Sequence, residues 1–149
     1  MKRRLFLASL AAGALPVGAQ TQRFQPVQDI RPLLGKLTGG IVPERGGIEI
    51  ELPQIAENGN SVPMRVTIAS PMSAADHVSA IHIIAERNPR PLVATFHLGP
   101  RSGRADINTR VRLAGTQQVT VLVQLSGNRF KMAQVEVLVT SAACLDESL

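Results

Sequence analysis

The sequence predicts an all-β fold: an immunoglobulin-like antiparallel β-sandwich of about seven strands, with a short N-terminal helix before it and a mobile C-terminal arm after it. Three observations carry this expectation. Apolar and polar residues alternate with period two, most cleanly in Ile48-Glu49-Ile50-Glu51-Leu52 and again over 104–113, so each run presents one apolar and one polar face. Turn-forming clusters separate the runs: Asn58-Gly59-Asn60, Ser70-Pro71, Asn88-Pro89-Arg90-Pro91, Gly99-Pro100-Arg101-Ser102-Gly103, Ala114-Gly115 and Ser126-Gly127-Asn128. The length of 149 residues, about 130 once a leader is set aside, suits one domain around one core. A closed barrel is the alternative architecture. No internal repeat and no second domain is visible.

Residues 1–19 read as an export signal. Lys2-Arg3-Arg4 is a basic start, the stretch from Leu5 to Leu15 is apolar but too short to span a bilayer, and Val17-Gly18-Ala19 supplies small residues for cleavage after Ala19. Arg3-Arg4-Leu5-Phe6-Leu7 resembles the twin-arginine signal, which exports folded proteins; an ordinary secretory signal is the alternative. The expected location is the periplasm, with no membrane-spanning segment.

Residues 20–47 form the N-terminal helix and linker. Ile30, Leu33, Leu34 and Leu37 fall at helical spacing, Asp29 is placed to cap, Pro32 is tolerated in a first turn, and Thr38-Gly39-Gly40 ends the helix. Its leucines are expected to lie on the main domain. The sandwich occupies 48–140. Its strands are read at 48–52, at 64–70 with Met64, Val66 and Ile68 on one face, at 78–86 and 92–98, each more apolar throughout, at 104–113, at 119–125 and at 129–140. Along 104–113, Ala105, Ile107, Thr109, Val111 and Leu113 face inward, while Asp106, Asn108, Arg110 and Arg112 face outward. The apolar phase slips between Met132 and Ala133, which predicts a β-bulge. Residues 141–149 form the arm.

Charge excludes one class of partner. The chain carries 16 basic and 11 acidic residues; without Lys2, Arg3 and Arg4 the balance is 13 to 11, a net charge of +2. Stacking aromatics are scarce beyond the leader, with Phe24, Phe96 and Phe130 present and no Trp or Tyr, so a nucleic-acid partner is not expected. No phosphate loop, nucleotide fingerprint or paired-carboxylate arrangement is present. His77, His82 and His97 share no metal-ligand spacing, and no metal or other cofactor is expected. The loop from Gly99 to Arg104 offers two arginines to an anion, against the plainer reading of a solvated turn.

The candidate functional residue is Cys144, the sole cysteine. In an exported chain it has no intramolecular disulfide partner, so it is joined to another molecule, chemically reactive, or packed as a small apolar residue. A thiolate is soft and nucleophilic, and its bond to sulfur is made and broken by exchange. If the last strand ends near Thr140, four extended residues give about 13–14 Å of reach, and Ser141, Ala142 and Ala143 keep that arm slim. Leu122 and Leu138 lie opposite the inward valines of the last two strands and mark a candidate partner contact; stray exposed leucines are the alternative.

At this point the residues carry a resemblance. The stretches Ile50-Glu51-Leu52-Pro53, Ala56-Glu57-Asn58-Gly59-Asn60-Ser61-Val62-Pro63, Ser70-Pro71-Met72, Ile81-His82-Ile83 and Asn88-Pro89-Arg90-Pro91 resemble the SoxY family in residue and order. The most specific run is Ala94-Thr95-Phe96-His97-Leu98-Gly99-Pro100-Arg101-Ser102-Gly103-Arg104-Ala105, and the likeness extends roughly over 47–144. The resemblance implies a covalent carrier of sulfur intermediates in thiosulfate oxidation rather than an enzyme. It implies a heterodimer with a second β-sandwich subunit, SoxZ, and visits to a c-type haem enzyme that attaches thiosulfate, a hydrolase that releases sulfate and a sulfane dehydrogenase. By position the sulfur-bearing residue is Cys144. The family's best-known ending flanks the cysteine with glycine pairs. Here Ala142-Ala143 precede it and Leu145-Asp146-Glu147-Ser148-Leu149 follow, which implies a stiffer arm and a bulkier, acidic tip. The reading from a different class is a non-catalytic β-sandwich binding or structural module whose cysteine forms only an intermolecular disulfide.

Overall fold

The alternating runs are strands, and a computed structural model, which describes residues 25–143, arranges them in two sheets. The signal expected over 1–19, and Cys144 with the tail after it, lie outside the described residues. The larger sheet has the order β1 (Glu44–Arg45), β9 (Arg129–Val139), β8 (Gln117–Leu125), β5 (Val78–Ala85), β6 (Leu92–His97), and β3 (Ile55–Ala56) also pairs with β9. The smaller sheet is β2 (Ile48–Glu51), β4 (Val62–Ile68), β7 (Ala105–Val111). All seven expected strands are present. β1 and β3, two residues each, were not anticipated; both run parallel to β9, so the sheet is mixed rather than wholly antiparallel.

The core lies between the sheets. Val62, Met64, Val66 and Ile68 of β4 meet Ile81 and Ile83 of β5, Val119, Val121 and Val123 of β8, and Val137 of β9. Each is a side chain on the inward phase of its strand, and full burial of each contributes roughly 1.5–3 kcal/mol. Because β5 and β8 are central, their outer faces are covered too. That cover is α1 (Arg31–Thr38), whose Leu33, Leu34 and Leu37, with Ile30, pack on Ile84, Leu122, Phe130 and Met132.

The N-cap position is Ile30 rather than Asp29, but Asp29 Oδ1 still accepts the Arg31 amide at 3.0 Å. The hydrogen bonds from the Arg31 guanidinium and amide hold the Asp29 carboxyl well below its usual range, at about 2. Gly39, at φ 63°, supplies the left-handed turn that stops the helix.

Two expectations about the outer face are corrected here. Leu122 does not face a partner: it is 0% exposed, sealed beneath α1 of its own chain. The β-bulge expected at Met132 and Ala133 is absent, since β8 and β9 pair without interruption from Gln117↔Val137 to Leu125↔Arg129. The phase only seems to slip. Phe130 and Met132 belong to the outer face, which becomes apolar where the helix covers it, while Ala133 and Val135 belong to the inner face. The register shifts that do occur lie in β5, at Val78/Ala80 against β8 and at Ile83/Ile84 against β6.

Candidate functional site: the root of the C-terminal arm

β9 carries the chain to the arm, and its end is tied from both sides. On one side the Leu138 amide donates to the Gln54 carbonyl (2.8 Å), the Thr140 amide to the Ala56 carbonyl (3.0 Å), and the Thr140 hydroxyl to the Glu57 carbonyl (3.1 Å). On the other, the Val139 amide donates to Thr116 Oγ1 at 2.9 Å. These bonds continue the sheet past its last residue.

The chain does not leave the body there. The Gly59 amide donates to the Ser141 carbonyl (2.8 Å), the Leu113 amide donates to the Gly59 carbonyl (2.8 Å), and the Ala143 amide donates to the Leu113 carbonyl (3.0 Å). Gly59 is thus the middle rung between the arm and the β7–β8 turn. A side chain there has no room: a Cβ on Gly59 would strike the Leu113 carbonyl oxygen and would stand 2.9 Å from the Ala143 nitrogen and 3.1 Å from Val139 Cγ1. The Asn60 amide, donating to Asn58 Oδ1 at 2.9 Å, closes the turn that brings Gly59 to this position.

The Leu113 end of the rung is fixed by a buried polar cluster. Asn88 Nδ2 donates to the Arg112 carbonyl (2.8 Å), and Asn88 Oδ1 accepts from the Ala114 amide (3.0 Å) and from Gln117 Nε2 (3.2 Å). Gln117 Nε2 also donates to the Gly115 carbonyl (3.1 Å), while its Oε1 accepts the Arg87 amide (2.8 Å). Asn88 and Gln117 are buried, so these bonds are made where water does not compete. The sequence marks Asn88 only as a turn residue. Its buried role had no signature, because a buried and a solvated asparagine look alike in a turn.

The expected arm residues therefore divide. Ser141 is exposed, Ala142 half-buried and Ala143 only 7% exposed. The free span counted from Thr140 is shortened, since Ser141 and Ala143 are hydrogen-bonded to the body. Cys144 lies outside the described residues. Leu138 is 48% exposed beside Ile55, its register partner, which is 60% exposed; Leu122 is on the far side of this question, under the helix.

The three histidines do not gather into one cluster, although His82 and His97 are neighbours on β5 and β6. His77 Nδ1 stands 3.1 Å from the Ser73 carbonyl oxygen, and His82 Nδ1 stands 3.0 Å from Thr95 Oγ1. Burial, and then the nearby His97, push the His82 pKa below its ordinary value. Among the described residues no group of three or more His, Cys, Asp or Glu is arranged to hold a metal ion, and no helix is long and apolar enough to cross a membrane. Pro100 to Ser102 form a short 3-10 turn with Arg101 and Arg104 exposed beside it.

Comparison with known proteins places this geometry. A family model described as sulfur oxidation protein SoxY matches residues 34–144. The solved structure of the sulfur carrier protein SoxY from Chlorobium limicola f thiosulfatophilum is similar at 30% identity and a TM-score of 0.61, over 72% of this chain and 88% of that one. A superoxide reductase (neelaredoxin) from Ignicoccus hospitalis is similar at 17% identity and a TM-score of 0.56, over 63% of this chain and 80% of that one. A putative superoxide reductase from Thermotoga maritima is similar at 15% identity and a TM-score of 0.54, over 80% of this chain and 97% of that one. The reductases share the fold. No curated protein matches the sequence significantly.

Proposed function

The chain belongs to the SoxY family of sulfur oxidation proteins, and on that premise we propose that Cys144 is the residue to which substrate sulfur is joined. Membership makes the protein a sulfur carrier in sulfur oxidation, working within a SoxYZ complex alongside Sox partners. The observation that supports the residue is the family match itself: it runs through residue 144, which is the sole cysteine of the chain.

The chemistry follows from the thiol. Cys144 thiolate and the sulfane sulfur of thiosulfate each contribute an electron pair; one pair becomes the new S–S bond and two electrons pass to a c-type haem enzyme. The product is a cysteine S-thiosulfonate. Attack of water on the terminal sulfonate sulfur then releases sulfate and two protons and leaves a cysteine persulfide anion. No oxidant is needed in that second step, which suits a hydrolase, and a sulfane dehydrogenase oxidises the sulfur that remains. The protein contributes no catalytic group; it holds the sulfur and presents it. The leader read over 1–19 supports a periplasmic location for this work, and a SoxZ-like subunit is the partner of the heterodimer in this reading. The exposed pair Ile55 and Leu138, at the arm's root, suits a contact with that subunit.

Intact-mass measurement of the protein recovered from cells oxidising thiosulfate tests the assignment. Sulfur-containing adducts that reductant removes and that Cys144→Ser abolishes are the expected result. An unmodified thiol during turnover, or a mass equal to a disulfide-linked pair of chains and nothing else, overturns it in favour of a structural module.

A further inference from the structure

We infer that Gly59 is a positioning residue for the carrier arm: with Leu113 it forms a latch on the backbone of Ser141 and Ala143, and this latch sets how far residue 144 extends from the body. The inference rests on Cys144 being the sulfur-bearing residue. It deepens that assignment by identifying what restrains it.

Three observations point to a latch. The hydrogen bonds run in sequence from Ser141 to Gly59, from Gly59 to Leu113 and from Leu113 to Ala143, so one glycine joins the arm to the sandwich. The space is built for glycine, since a single added carbon would meet the Leu113 carbonyl, the Ala143 nitrogen and Val139 together. The far post of the latch is stiff, because buried Asn88 grips Arg112 and Ala114 on either side of Leu113.

The consequence is one of reach. With the latch closed, the attachment residue lies one peptide unit beyond a buried alanine, about 3.8 Å between Cα atoms. Opening it frees Ser141, Ala142 and Ala143, each adding about 3.3–3.6 Å of extended chain, or roughly 10 Å in all. Among the described residues this gives up two arm hydrogen bonds, Gly59 to Ser141 and Ala143 to Leu113, and the burial of one small apolar side chain. The arm therefore has a short, docked setting and a long one. A partner enzyme with a recessed site draws on the long one. This arrangement suits a chain with alanines where flexibility before the cysteine would otherwise come from glycine.

Hydrogen exchange on the full mature chain, together with alkylation of Cys144, tests the latch. In the wild type the Ala143 amide is expected to exchange at least tenfold more slowly than an unprotected amide. Gly59→Ala is expected to abolish that protection and to speed alkylation of Cys144 by a bulky maleimide severalfold, with little change for a small reagent such as iodoacetamide. Amides of Val121 and Val123 in the core report global unfolding and should keep their protection; equal acceleration there assigns Gly59 a merely structural role and overturns the proposal. Ala143→Pro removes the donor without touching Gly59 and is expected to give the same alkylation pattern. A wild-type Ala143 amide that exchanges freely also overturns the latch, even where mass measurement shows sulfur on Cys144. Absence of sulfur on Cys144 with a protected Ala143 amide sinks instead the carrier assignment on which the inference rests.

Discussion

β9 is held differently at its two ends. At its start, Phe130 and Met132 lie under α1 with Leu122 and Ile84, and the hold is apolar area removed from water. At its finish, Leu138, Thr140, Ser141 and Ala143 are tied by backbone hydrogen bonds to Gln54, Ala56, Gly59 and Leu113. The first hold is non-directional and collective. The second is directional, nearly independent of side chains, and exposed to competition from water at Ser141. Burial anchors the strand to the body, while a short series of net-weak bonds restrains the residues that lead to position 144.

Substitutions on either side of this contrast should differ in kind. The largest effect is expected from Leu122→Ala, which empties a fully buried site beneath the helix and should cost about 2–5 kcal/mol, read as a lowered urea midpoint. A change below 1 kcal/mol would mean that α1 does not seal this face. Asn88→Ala comes next, with about 1–3 kcal/mol lost as the Ala114 amide and Gln117 Nε2 lose a shared acceptor. It should also speed exchange at Ala143, because Leu113 is then held less firmly; unchanged exchange would separate the polar cluster from the arm. Thr116→Val keeps the shape and removes the acceptor for the Val139 amide, for about 1 kcal/mol, with Ala143 more affected than Phe130 in amide exchange.

Acid provides the mildest test. His82 pairs with Leu122 across β5 and β8, on the helix side of the sheet. Its pKa in the folded chain is lowered by burial and by His97, so on acidification through about 6.5 the unfolded chain takes up the proton first. Stability should therefore fall as pH drops from about 6.5 toward the folded value and show no such slope above it. His82→Gln should flatten the slope in denaturant titrations at several pH values. The latch contains no titrating group, so the low-denaturant protection of Ala143 should not follow pH once intrinsic exchange is corrected for.

The contrast between the two holds also explains what the sequence discloses. Alternation reports which face a strand turns inward, so Met64, Val66, Ile68 and the valines of β8 were legible in advance, as were the leucines of α1 at helical spacing. An apolar outer face is legible too, but its cover is not: Leu122 looks the same whether a partner or a helix of the same chain lies on it. The supposed slip at Met132 came from the same ambiguity, two apolar faces read as one. β1 and β3 are too short for any period to show. The arm's root is written in backbone atoms, and backbone atoms leave no pattern in side chains. Gly59 was visible as a turn residue, yet its hydrogen bond to Ser141 joins positions more than eighty residues apart and depends on the finished fold.

That separation bears on when the domain can form during synthesis. β9 is the last strand among the described residues, and it pairs in parallel with β1 and β3, from the beginning of the sandwich, as well as with β8. Glu44, Arg45, Ile55 and Ala56 therefore wait for partners that lie more than eighty residues further along the chain. The outer face under α1 is likewise incomplete until Phe130 emerges. A nascent chain halted before residue 129 would have no native site for these segments, and chaperones would see their apolar surface. Among the described residues the last link along the chain is the one at Ala143, so a seated arm root also reports that the strands before it have folded.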